Sequence, residues 1–289
     1  MSDGQNYAQE FGIISIPAAA IFAAVYVPLL VWFIRQSYKL RTSVFFSLSL
    51  FCAIRIAAFV IRAILAGSNK AGQNVGLLAG DQILFSVGFF GLLYSAYTLV
   101  LDRETMSDTP PSRGIISQIM RNRRLYRMAL FIAIGLGTSG LSLVEGTNSG
   151  DTSIGNSLHM ASTIMFLVLV ALLAYQTFIL ARLELKGGGY KQSTRTFAAK
   201  YGMYILLLIS VLLLIREAFA TATMNDLSKQ NNEHFWYPLV ALPEVLAVLL
   251  YTTPGLIPSR AEMQAARRPK VILPNFSTSK VAITTGDAP

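Results

Sequence analysis

The chain has 289 residues, of which 53% are hydrophobic and only 13% charged, with a mean hydropathy of +0.52. Soluble domains carry about 25% charged residues, so this composition excludes a soluble globular protein and points to a polytopic membrane protein. The formal charge of +9 does not signal a nucleic-acid partner, because the basic residues fall in short connections between apolar segments and gather on no single face.

Residues 1–10 are polar and acidic (Asp3, Glu10), with no basic n-region and no small-residue cleavage site. They read as an extracellular N-terminus, and the first apolar run stays in place as a span. Apolar segments follow at 11–34, 43–66, 82–101, 126–145, 158–181, 201–223 and 235–257. At about 1.5 Å per residue each can cross a hydrocarbon core of about 30 Å. Residues 11–257 are therefore expected to form an all-α bundle of seven transmembrane helices, in the plasma membrane or an endomembrane. The single Cys52 lies within an apolar run, so no intrachain disulfide forms.

Basic residues set the orientation. The connections 35–42, 102–125 with Arg127, and 182–200, together with the tail from 258, hold 19 lysines and arginines, against Lys70 and Lys229 on the other side. This bias places the N-terminus outside and the C-terminus in the cytoplasm, where the sequon at Asn275 stays unglycosylated. The outer connections are short and rich in Gly, Asn and Ser, so an external ligand must enter the bundle itself. The inner connections 102–125 and 182–200 are long and polar enough to be mobile, and they are where a cytosolic signalling partner would dock. Residues 258–289 form a cytoplasmic tail: Ser259 and Glu262 fit a capping box opening a short interfacial helix, and the sequence beyond Pro269 is expected to be disordered. Its basic residues can attract anionic lipid of the bilayer.

An internal echo runs through the chain. Ile54-Arg55-Ile56-Ala57-Ala58-Phe59 resembles Ile215-Arg216-Glu217-Ala218-Phe219, and Leu92-Leu93-Tyr94-Ser95 resembles Leu249-Leu250-Tyr251-Thr252. Helices one to three and five to seven read as parallel repeats joined by helix four, or as chance similarity between Leu- and Ala-rich spans.

Charges inside the spans are the candidate site. An unpaired charge at membrane depth costs at least about 2.5 kcal/mol and marks function by default. Counted from the outer ends of the spans, Arg55 lies about 16 Å deep, Glu244 about 14 Å, Arg216 and Glu217 about 10 Å and Arg62 about 6 Å. Opposite charges on helices two, six and seven thus sit at matching depths, with Asp81, Glu145 and His159 as a polar crown above them. Two arrangements fit: structural ion pairs, with Arg62 snorkelling to the surface, or a water-accessible pocket opening outward. Pro238 and Pro243 beside Glu244 each remove a helix hydrogen bond, and breaks at this depth tend to line a cavity.

No lysine falls within the predicted spans, which rules out a retinal Schiff base on helix seven. Two histidines, His159 and His234, are too few for a three-histidine zinc site or a two-haem site, and no Gly-rich phosphate loop occurs. Neither a metal nor a cofactor is expected, and an enzyme is disfavoured.

The Arg-containing second helix (FFSLSLFCAIRIAAF), the Tyr-rich third (GLLYSAYTLV), the sixth (LLLIREAF) and the seventh (FWYPLVALPEVLAVL) together resemble the plant tobamovirus-multiplication family and its adipocyte-associated receptor-like relatives. The chain is also similar to fungal seven-helix families of the lipid-translocating exporter type. In the former family the acid of helix seven precedes its proline, whereas here Pro243 precedes Glu244. Asp102-Arg103-Glu104 stands where rhodopsin-like receptors carry an acid-Arg-aromatic switch, although its third residue differs and helix seven lacks Asn-Pro-x-x-Tyr. Asp102 and Arg103 are a cytoplasmic switch candidate or a plain membrane-interface pair. The resemblances imply either a receptor-like protein sensing a small or lipidic ligand and signalling to a cytosolic partner, or a small-solute or lipid transporter built from two three-helix repeats.

Overall fold

A computed structural model describes residues 6–106, 115–144, 149–186, 197–259 and 262. Among them seven helices are long and apolar enough to cross a membrane: α1 (Ile16–Leu40), α2 (Ser43–Gly67), α3 (Val75–Met106), α4 (Arg123–Val144), α5 (Ser149–Lys186), α6 (Phe197–Ala222) and α7 (Glu233–Tyr251). Side chains such as Ile21, Val31, Phe46 and Met128 are more than 60% exposed on their outer faces. Apolar outward and polar inward is the arrangement lipid demands, and the chain is a seven-helix, multi-pass integral membrane protein.

Local chemistry sets the helix ends. Ser15 accepts from the Ala18 N–H (3.3 Å) and Pro17 occupies the first turn, where its missing donor costs nothing, so α1 starts there. Arg41, at φ 48°, ends α1 in a left-handed turn whose N–H returns to the Ser37 carbonyl, and the chain reverses into α2. From α2 to α3, Ser47 meets the Gly91 carbonyl (3.1 Å), Arg55 the Phe85 carbonyl (3.0 Å) and Arg62 meets Asp81, so partner numbers fall as the first helix rises. The two run antiparallel, and the pattern continues around the bundle. The N-termini of α1, α3, α5 and α7 therefore share one end, the first end, which carries Lys70 and Lys229. Exposed Arg35, Lys39, Arg41, Arg121, Arg123, Arg124, Arg127 and Arg182 cluster at the second end.

Several boundaries depart from the sequence expectation, and α1, for one, runs from 16 to 40 instead of 11 to 34. Helix α3 begins at Val75 instead of 82, and α5 at Ser149 instead of 158. The Gly-, Ser- and Asn-rich stretches stay helical because their polar groups find partners across the bundle: Asp81 faces Arg62, and Gln82 donates to Asn231 (2.9 Å). Close backbone approach helps α5, since a Cβ on Gly140 of α4 would stand 2.7 Å from the Gly155 carbonyl oxygen. At the other extreme, α7 stops at Tyr251 instead of 257, where Pro254 and Gly255 (φ 82°) turn the chain.

The N-terminal segment folds over the first end. A short helix, Tyr7–Glu10, leads through Gly12 (φ 84°), whose backbone lies against Asn232, to Ile14 and Ser15, whose N–H groups donate to the Glu233 carboxylate (2.8 and 2.9 Å). At the second end, the connection expected to be mobile is ordered helix in its described parts. Residues 102–106 finish α3, Ile115–Arg121 is helical, and Asp102 and Arg103 are buried. The capping box forms reciprocally, Ser259 N to Glu262 Oε2 (2.8 Å) and Glu262 N to Ser259 Oγ (3.3 Å). The helix expected after it, the tail beyond with Asn275, and 107–114 and 187–196 lie outside the described residues.

Candidate functional site

An arginine in an apolar helix must be paired or reach water, and α2 carries two. Arg55 is fully buried, and it lies across α3 because residue 88 is glycine: a Cβ there would come within 2.9 Å of its Nη1. Its Nη1 donates to the Phe85 carbonyl (3.0 Å) and its Nη2 to Glu244 Oε1 (2.7 Å), with the guanidinium 4.6 Å from the centre of the Phe85 ring. The same Glu244 oxygen accepts from Arg216 Nε (3.1 Å), and Arg216 Nη1 donates to Glu217 while its guanidinium sits 3.9 Å over Phe89. Arg55, Glu244, Arg216 and Glu217 thus form one alternating chain of charge that ties α2, α3, α6 and α7 together.

A second pair lies nearer the first end. Arg62 is 1% exposed, so it does not snorkel: it pairs with the fully buried Asp81 (3.4 Å) and stacks 3.7 Å over Trp236. Three cations and three anions therefore meet inside the bundle with no net charge, which lowers the cost of burying each.

Pro238 and Pro243 act differently from the expected break. The backbone of α7 stays helical, and the segment Tyr237–Ala241, which contains Pro238 and ends just before Pro243, winds as a π-turn. Each proline lacks the N–H that a regular α-helix would use, and the wider turn absorbs the mismatch without unwinding the chain. Trp236, over Arg62, sits before this turn, and Glu244 sits after it.

A cavity of about 60 Å³ opens between α3, α4, α5, α6 and α7 in the half toward the first end. Of the residues singled out in sequence, His159, Arg216 and Glu217 line it, while Arg55, Arg62, Asp81 and Glu244 stand outside its lining and connect to it through Arg216 and Trp236. Glu145 lies outside the described residues. Gln82, Ser86, Ser162, Thr163, Gln230 and Trp236, which the sequence did not mark, supply further polar and aromatic wall, and Phe85, Phe89, Phe166, Phe219 and Val240 of the α7 π-turn are among its apolar lining. A signal was there: Gln82, Ser86 and Phe89 recur at helical spacing on one face of α3, as His159, Thr163 and Phe166 do on α5.

Asp102 and Arg103 are about 20 residues along α3 from Gln82, roughly 30 Å away. They do not simply pair with each other at the interface. Asp102 accepts from Arg123 Nη2 (2.6 Å), and Arg103 lies 3.5 Å from Glu184 of α5. Glu104 takes Arg121 (2.5 Å), and Gln176 of α5 donates to Ser117 (3.3 Å). These contacts fasten α3, α4 and α5 together at the second end.

Comparison with known protein families, with curated proteins and with solved structures finds no match for this chain.

Proposed function

We propose that this protein is a receptor-like membrane protein that admits a small ligand from outside into the cavity between α3 and α7 and passes its binding to a cytosolic partner at the second end. The observation that carries this reading is the link between cavity and charge chain: Arg216 lines the cavity and is bonded to Glu244, which also holds Arg55. A ligand that draws Arg216 changes the junction of four helices, and a ligand shifts an equilibrium only by interacting differently with its two states. The bias of 19 basic residues to two supports a first end that faces outward and a second end that faces the cytosol. The second end offers ion pairs among Asp102, Arg103, Glu104, Arg121, Arg123 and Glu184 whose rearrangement a partner would read. The resemblance to receptor-like seven-helix families agrees with this reading, as the equal resemblance to exporter-type families agrees with a carrier.

A second reading, a carrier built from two three-helix repeats, has an observation of its own. Arg55 and Arg216 occupy corresponding places in the sequence echo, and both bond the same Glu244 oxygen, as two related halves meeting at one acid would. Sealed liposomes separate the readings. Protein carrying Cys52→Ala and an environment-sensitive dye on Tyr204→Cys, an exposed α6 position, is challenged with a panel of sterols, lipids, sugars and amino acids. The receptor reading expects a dye response without solute flux. Saturable flux that Glu244→Gln abolishes would establish the carrier instead.

A further inference from the structure

We infer that the cavity is a site for a small ammonium-bearing ligand; this rests on the outward-facing cavity of the receptor reading and names what that cavity holds. The hydroxyl protons of the wall point away from the cavity. Ser86 donates to the Gln82 carbonyl (3.0 Å), Ser162 to the Ala133 carbonyl (2.6 Å) and Thr163 to the His159 carbonyl (3.0 Å). A hydroxyl has one proton, so all three present only lone pairs to the cavity. One N–H of the Gln82 amide donates to Asn231, and Arg216 bonds Oε2 of Glu217, so Oε1 remains an acceptor. Buried Gln230 Oε1 has no protein partner among the described residues, and neither ring nitrogen of His159 has one, so a neutral imidazole adds one acceptor and one N–H donor to the wall.

Acceptors outnumber donors in this wall, and a buried acceptor left unsatisfied costs about 1–3 kcal/mol, which favours a ligand rich in donors. The one cation in the lining, Arg216, is already shared by two carboxylates, so it does not turn the site toward anions. An anion would face the Glu217 carboxylate and hydroxyl lone pairs. A neutral alcohol brings one donor per oxygen, whereas an ammonium brings three donors and the charge that suits a carboxylate. The aromatic wall is compatible with a cation, since Phe89 and Trp236 each hold a guanidinium against the ring, at 3.9 and 3.7 Å. A volume of about 60 Å³ limits the occupant to a few heavy atoms.

The test is isothermal titration of the full-length protein in detergent with methylammonium and ethanolamine, against acetate and ethylene glycol at matched ionic strength. Saturable binding of the two amines alone is expected. Both Glu217→Gln and Thr163→Val should weaken it by about tenfold or more, the loss of a hydrogen bond to a charged group. Because Glu217→Gln also disturbs Arg216, Thr163→Val, which keeps the side-chain shape, is the second arm, and melting curves verify that each variant is folded. Equal binding of ethylene glycol, binding of acetate alone, no binding, or amine affinity unchanged in the folded Thr163→Val protein would each overturn the inference. Labelling of Ser86→Cys, in a Cys52→Ala background, by a water-soluble thiol reagent tests the open cavity separately. Labelling without amine binding sinks the ammonium site and leaves the receptor cavity standing, whereas an unlabelled cysteine with no amine binding sinks both.

Discussion

Glu244 is a fully buried acid held by two arginines, and its removal should be the most damaging single change to a charge. Its Oε1 accepts from Arg55 Nη2 at 2.7 Å and Arg216 Nε at 3.1 Å, all three residues being buried. In Glu244→Ala, Arg216 keeps Glu217, but Arg55 keeps only its bonds to the carbonyls of Leu84 and Phe85 and becomes an uncompensated buried cation. Breaking a buried pair from one side costs about 3–5 kcal/mol. Arg55→Ala leaves the mirror problem, two acids sharing Arg216, at a similar cost. In the double variant the remaining Arg216–Glu217 pair is neutral, so its loss should fall short of the sum of the singles by roughly 2–3 kcal/mol. Reversible thermal denaturation in detergent reads this cycle, each single change lowering the midpoint by on the order of 10 °C. Strict additivity would mean that Arg55 and Glu244 are not energetically coupled and would refute the charge chain.

Gly88→Ala should force the Arg55 guanidinium from its seat, because the added Cβ lies 2.9 Å from Nη1, and cost about 1–3 kcal/mol; Gly91→Ala, whose nearest contact is 3.7 Å, should be neutral or mildly stabilising in the same melting assay. Trp236→Ala removes the ring over Arg62 and its packing on Phe85 and should cost about 3–5 kcal/mol, whereas Trp236→Phe, which keeps a ring there, should retain most of that stability. A glycosylation tag after Pro289 should remain unmodified and one inserted within 146–157 should be modified; modification of the C-terminal tag alone would reverse the orientation.

The seven spans were legible because apolar runs of this length leave a chain little alternative. Their ends were not, since a Gly-Asp or Ser-Gly-Asp stretch reads as a loop unless one knows that Arg62 waits for Asp81 or that Gly140 lets α5 run close to α4. Depth along the helices suggested that Arg55 and Glu244 would meet, because both lie on long helices whose rise is fixed. The part played by Arg216 depends on which way α6 turns, and sequence spacing does not fix that rotation relative to α2. Arg62 looked close enough to the surface to snorkel. Burial under Trp236 is a tertiary fact, made by the N-terminal turns of α7. The cavity wall was harder still, since serine and threonine inside a helix commonly bond only their own backbone, and here Ser86 and Thr163 do so while also facing a common space.

On the receptor reading the cavity communicates with one side of the membrane only. Thr163→Cys in a Cys52→Ala background, in sealed vesicles of known orientation, can be challenged with a membrane-impermeant thiol reagent from each side in turn, with and without added solutes. A receptor-like protein is expected to be labelled from the side of Lys70 and Lys229 alone, under every condition. Labelling from the basic side would contradict it and mark the alternating access of a carrier.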